Sequence, residues 1–154
     1  MEKAVNALIW IKNILETHRI PYQISGGLAA KAYGVQRELN DIDIDIPEEY
    51  FPLLASAVCP YITYGPANFR DESWDLMLIT LDYEGQSIDL SGAFHSKLYN
   101  KQNSQWENCT VDFSQVRLLD IFGVQVPVIS KENLIQYKKS LQRPVDLIDL
   151  QSLS

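Results

Sequence analysis

The chain reads as an α+β fold, a small mixed β-sheet with helices packed mainly on one face. Three observations predict it. The first residues carry apolar side chains at three- and four-residue spacing, the period of an amphipathic helix. The run Asp41-Ile42-Asp43-Ile44-Asp45-Ile46 alternates acid with isoleucine, the period of a strand with one polar and one apolar face. Later extended runs come in pairs around short turns, as β-hairpins do. The order is α, β, α, β, α, then hairpins, then α, which suits one sheet covered by helices.

Ala4, Val5, Leu8, Ile11, Ile14 and Leu15 define a first helix ending near Thr17-His18. Pro21 interrupts it, and Tyr22 to Ser25 reads as a short strand. Leu28 to Tyr33 is alanine-rich and predicts a second helix that Gly34 stops. The aspartate strand follows. Pro47 stands at the permitted first position of a third helix, with Glu48 and Glu49 favouring its N-terminus. Tyr50, Leu53, Leu54, Ala57 and Val58 supply that helix with an apolar side.

Cys59 to Asp71, with Pro60, Gly65 and Pro66, reads as loop. Trp74 to Tyr83 and Gln86 to Ser91 make a hairpin around Glu84-Gly85, and Val116 to Ile121 and Val124 to Val128 make another around Phe122-Gly123. Pro127 marks an edge or a strand end there. Between the hairpins, Gly92 to Asn108 is polar and reads as a loop that shapes a pocket. Ser130 caps a helix to about Leu141, with Leu134, Tyr137, Lys138 and Leu141 on one side. Pro144 starts a last helix, Val145 to Leu150.

At 154 residues the chain fits a single domain over 1–154. The net charge is −7 with no basic stripe, which excludes tight binding to a nucleic-acid backbone. It suits a neutral or cationic acceptor, or a metal-nucleotide. Cys59 and Cys109 have no metal-ligand spacing, and His18 and His95 stand alone, so no zinc site is expected. With no signal peptide at Met1 to Val5, reduced thiols in the cytoplasm are expected. No apolar run approaches the ~20 residues of a membrane span.

The chemistry concentrates between Ser25 and Ile46. Gly26 and Gly27, between a strand and a helix, let backbone N–H groups approach an anion, and Ser25 adds a hydroxyl. The same pair also serves as a plain tight turn. Asp41, Asp43 and Asp45 share one strand face, neighbours ~6.5–7 Å apart. Three like charges in a row call for a cation; the alternative is a solvated acidic edge. Asp89 on a separate predicted strand supplies a further carboxylate. Two Mg²⁺ ions held among Asp41, Asp43 and Asp89 would bind a triphosphate and activate a hydroxyl.

Gly26-Gly27, Arg37 four residues before Asp41, and Asp41-Ile-Asp-Ile-Asp45 together resemble the nucleotidyltransferase superfamily that includes DNA polymerase beta. Within it the sequence is most similar to the small lincosamide and aminoglycoside adenylyltransferases. The likeness continues through Val126 to Glu132, Tyr137-Lys138 and Asp146-Leu-Ile-Asp149. The turn reads Ser25-Gly26-Gly27-Leu28 where the antibiotic enzymes commonly have Asp-Gly-Gly-Trp, and Val145 stands where they carry a basic residue.

The resemblance implies a nucleotidyltransferase fold and Mg²⁺-dependent transfer of a nucleoside monophosphate to a hydroxyl of a small-molecule acceptor. The donor would be ATP or another nucleoside triphosphate. It implies Ser25, Gly26 and Gly27 at the phosphates, and Asp41, Asp43 and Asp89 as catalytic metal ligands, Asp89 alternatively as base. Arg37 would contact phosphate or brace the aspartate strand, Lys138 would face the nucleotide, and Asp45 would be a spare ligand or an acceptor contact. Such enzymes also imply a homodimer. The alternative is a minimal module of a toxin–antitoxin system acting on or binding a protein partner.

Overall fold

The computed structural model describes residues 2–153. Its helices are α1 (Glu2–Thr17), α2 (Gly26–Ala32), α3 (Phe51–Ala57), α4 (Lys131–Leu141) and α5 (Pro144–Leu153). Its strands are β1 (Gln23–Ser25), β2 (Asp41–Ile46), β3 (Ile62–Arg70), β4 (Trp74–Tyr83), β5 (Gln86–Gly92), β6 (Lys97–Asn100), β7 (Gln105–Asn108), β8 (Arg117–Ile121) and β9 (Val124–Val128). They form one mixed sheet in the order β7-β6-β4-β5-β2-β1-β9-β8, with β3 paired to β4. Antiparallel pairs dominate; β2–β5 and β1–β9 are parallel.

Alternation in β2 divides the sheet into two faces. Ile42, Ile44 and Ile46 point into the core with Ile24, Ile79, Leu81, Ile88 and Leu90, and α1 contributes Leu8, Ile11 and Leu15 to that core. Each such side chain contributes ~1.5–3 kcal/mol by leaving water, so the isoleucines lock the register that turns the aspartates to the other face. Helices α4 and α5 pack beside α2. They give Leu134 and Leu153 to the core, while α4 also turns Asn133, Gln136 and Tyr137 toward the acidic side. Ser130 caps α4 as expected, its Oγ accepting from Asn133 N–H at 3.2 Å.

Four expectations are corrected. Pro47 does not open a helix: its backbone is extended, a single 3-10 turn spans Glu48–Tyr50, and α3 begins at Phe51. Glu48 is tied elsewhere, its carboxylate accepting from the N–H groups of Phe94 and His95 at 2.9 and 2.8 Å. The segment from Cys59 to Asp71 is mostly the nine-residue strand β3. Its register with β4 shifts around Gly65 and Pro66, an irregularity that only an outer strand tolerates and that hid the strand in the sequence. Gly92 to Asn108 holds the hairpin β6–β7 rather than a plain loop, though it does line a cleft. Helix α2 also starts two residues early, at Gly26.

No helix among the described residues is long and apolar enough to cross a membrane.

Candidate active site

Ser25, Asp43, Asp89 and Thr80 stand side by side across four strands, each the register partner of the next. Adjacent strands are ~4.8 Å apart, so Asp43 and Asp89 are close lateral neighbours on one face. Thr80 Oγ1 donates to Asp89 Oδ1 at 2.7 Å, fixing that carboxylate from behind. Asp41 is exposed at the mouth of the row, while Asp43, Asp45 and Asp89 are half-buried.

Burial and three like charges push Asp43 up to about 7; desolvation is the largest cause, then Asp89, Asp41 and Asp45, with Arg143 opposing them. Asp89 is raised by burial and by Asp41, against the Thr80 hydrogen bond. Burial likewise lifts Asp45 to about 6, against hydrogen bonds from Gln23 and Ser25. A group of carboxylates that raise one another's proton affinity is a group short of cations.

The glycine turn sits directly against this row. Gly26 has φ +61°, and a side chain there would run into the Asp43 carboxylate, so only glycine lets strand and turn approach this closely. Its N–H donates to Tyr137 Oη at 2.7 Å, so Tyr137 of α4 holds the turn. A Cβ on Gly27 would meet the Arg37 guanidinium at 2.7 Å.

Behind the turn lies a charge network. Arg37 makes a two-pronged pair with Asp149, Nε–Oδ1 2.6 Å and Nη2–Oδ2 2.9 Å. Lys138 Nζ reaches Asp146 at 3.2 Å and Asp149 at 2.9 Å, and all three side chains are at most 1% exposed. Arg143 holds Asp146 through Nε at 2.8 Å and Nη2 at 3.1 Å, and its backbone N–H donates to Asp146 at 3.0 Å. Arg143 precedes Pro144 and Asp146 follows three positions on, so the Asp146 carboxylate caps the backbone N–H that opens α5. Desolvation works to raise Asp149, yet the hydrogen bonds from Arg37 and Lys138 leave it below the usual carboxylate range.

Two cavities open here. The larger, about 480 Å³, is floored by Asp43, Asp45 and Asp89 and walled by Trp74, Leu98, Cys109 and Tyr137. The smaller, about 250 Å³, is lined by Gly26, Gly27, Arg37, Asn40, Asp41, Lys138 and Arg143. Gly26, Asp43 and Arg143 border both.

The structure thus brings together Ser25, Gly26, Gly27, Asp41, Asp43 and Asp89. Arg37 braces α5 through Asp149 rather than the aspartate strand, and Lys138 spends its charge on two buried aspartates. Sequence reasoning passed over Arg143 and Thr80, and placed Tyr137 on its helix and in the family pattern without giving it the glycine turn. An arginine directly before a proline that opens a helix, three residues ahead of an acid, was the available signal for Arg143.

A divalent metal suits this donor set. Among the described residues no three acids, cysteines or histidines form a closed ligand cage. Mg²⁺, however, is ordinarily held by one or two carboxylates with waters and substrate oxygens completing its shell. Asp43 and Asp89, hard oxygen donors in register and short of cations, meet that requirement, with Asp41 at the mouth.

No protein-family profile matches the chain, and no curated protein matches it. Solved structures do match. A proposed nucleotidyltransferase from Thermotoga maritima aligns over 97% of this chain and 91% of its own, at TM-score 0.77 and 20% identity. The lincosamide antibiotic adenylyltransferase LnuA, solved with lincomycin bound, aligns over 95% and 93%, at TM-score 0.63 and 18% identity. The enzyme ANT(2")-Ia in complex with adenylyl-2"-tobramycin aligns over 97% and 87%, at TM-score 0.64 and 19% identity. The chain has the nucleotidyltransferase fold, as its motifs implied.

Proposed function

We propose that the protein is a nucleotidyltransferase that moves a nucleoside monophosphate, AMP from ATP in the first instance, to a hydroxyl of a small molecule. The observation that carries this reading is the shared border of the two cavities. The smaller one is bordered by the Gly26-Gly27 turn and by three cations, Arg37, Lys138 and Arg143, that outnumber the two aspartates pairing them, Asp146 and Asp149, which suits it to phosphates. The larger has the size of a ligand pocket. The acids stand where the contents of the two would meet.

The acceptor oxygen attacks the α-phosphorus in line, the bond to the bridging oxygen of pyrophosphate breaks, and pyrophosphate leaves. Asp89, held by Thr80, takes the hydroxyl proton. Asp43, on its isoleucine-anchored strand, borders both cavities and would lie between donor and acceptor. The Gly26 turn, fixed by Tyr137, orients the triphosphate, and Arg143 faces its charge. Bound Mg²⁺, held at Asp43 and Asp89 with Asp41 at the mouth, would neutralise phosphate charge and favour ionisation of the hydroxyl. The protein's work is chiefly positioning and electrostatics.

Two of the solved neighbours carry small antibiotic-derived ligands, which favours a small acceptor over a protein partner of toxin–antitoxin type. The test is incubation with Mg²⁺ and α-labelled ATP, and then the other nucleotides, against a library of hydroxylated small molecules. The expected result is a labelled acceptor with equimolar pyrophosphate, both lost in Asp43→Asn. Pyrophosphate release at the wild-type rate by that variant would refute the assignment.

A further inference from the structure

Strand β4 is apolar on both of its faces. Met77, Ile79 and Leu81 go to the core, while Trp74, Leu76 and Leu78 turn the other way and line the larger cavity. Those three share a face with Thr80, the residue that holds Asp89. Leu78, Leu76 and Trp74 lie one, two and three steps along the strand from Thr80, about 7 Å to a step. Neighbouring strands widen this track: Phe69 of β3 stands opposite Leu76, and Leu98 of β6 opposite Trp74. Both line the same cavity. The Trp74 ring meets the Tyr137 ring edge-on, centroids 6.1 Å apart, which closes the track against α4. Strand β5 shows the cavity Asp89 and Ser91 instead, so the boundary between polar and apolar floor runs between β5 and β4.

Large apolar side chains turned into a cavity instead of the core lose the ~1.5–3 kcal/mol each that full burial would give, unless a ligand covers them. A cavity of about 480 Å³ is the size that holds a small molecule. We propose that the acceptor is an amphipathic alcohol, its hydroxyl at Asp89 and its hydrocarbon part running over Leu78 and Leu76 toward Trp74. This rests on the transferase reading for the hydroxyl, while the hydrocarbon contact stands on the cavity alone.

The test separates the two. Methyl-labelled wild-type protein is titrated with 1-butanol, 1-hexanol, 1-octanol and 1,8-octanediol, followed by NMR, and Mg-ATP binding is measured by calorimetry. The expected result is affinity rising about fourfold for each added methylene, the fold-change that ~0.8 kcal/mol per buried CH₂ gives. The largest shifts should fall at Leu76, Leu78 and Leu98. The diol, polar at both ends, should bind at least tenfold more weakly than 1-octanol. Leu78→Asn should flatten the rise and leave Mg-ATP affinity unchanged. Affinity independent of chain length in the wild type overturns the proposal without recourse to any variant; were that protein also a dimer in sedimentation with Leu76 and Leu78 shielded, the face would belong to a second copy. A rise that maps to other side chains, or that survives in Leu78→Asn, overturns it too. A rise with no pyrophosphate release from any acceptor upholds the hydrocarbon track and sinks the transferase reading. Labelled transfer to wholly polar acceptors, with no rise, does the reverse.

Discussion

Replacing Asp43 by Asn separates what the acid row does for function from what it does to stability. In the metal-free protein Asp43 titrates at about 7 rather than its ordinary 3.8. Between those values the folded state holds a proton that the unfolded state has released, so stability falls as pH rises through the window and levels off above it. Roughly 3 units at 1.36 kcal/mol each give ~4 kcal/mol as an upper bound. Asp43 borders two open cavities, and solvent there reduces the penalty to about 1–3 kcal/mol. Asn removes the charge and keeps the shape.

Urea unfolding in chelator at pH 8 is therefore expected to show Asp43→Asn more stable than wild type by about 1–3 kcal/mol. The gap should close toward pH 4. Millimolar Mg²⁺ should stabilise the wild type at pH 8 and leave the variant where it was. A variant less stable than wild type at pH 8 without metal, or a wild type with no loss of stability between pH 4 and 8, would refute the electrostatic argument.

Lys138→Met should destabilise the fold by about 3–5 kcal/mol, because Asp146 and Asp149 stay buried with part of their counter-charge gone; the thermal midpoint reads this directly. Gly26→Ala combines a left-handed backbone with a methyl group driven into the Asp43 carboxylate, so both nucleotide transfer and thermal stability should drop sharply. Tyr137→Phe leaves the Gly26 N–H without its acceptor. A loss of about 1–3 kcal/mol in chemical denaturation is expected, with a raised KM for ATP.

Much of the site was legible in the order of residues. Period-two alternation put the aspartates of β2 on one face, because a strand offers only two and the isoleucines must leave water. The hairpin turns were legible too: Glu84-Gly85 and Phe122-Gly123 all take positive φ, the conformation that two-residue hairpin turns of the primed type demand. The strand β3 was not, since Gly65 and Pro66 speak locally for a turn and only the pairing partner β4 overrides them.

Local sequence thus determined which side chains share a face, because facing repeats every two or 3.6 residues and needs no distant partner. Tertiary structure alone decided which faces meet. The register of β2 on β5 set Asp43 beside Asp89, and the docking of α4 and α5 buried Lys138 and delivered Arg143 and Tyr137 to the glycine turn. Those contacts join residues up to 111 positions apart. They are set by how the packed core closes, and no short-range pattern records that.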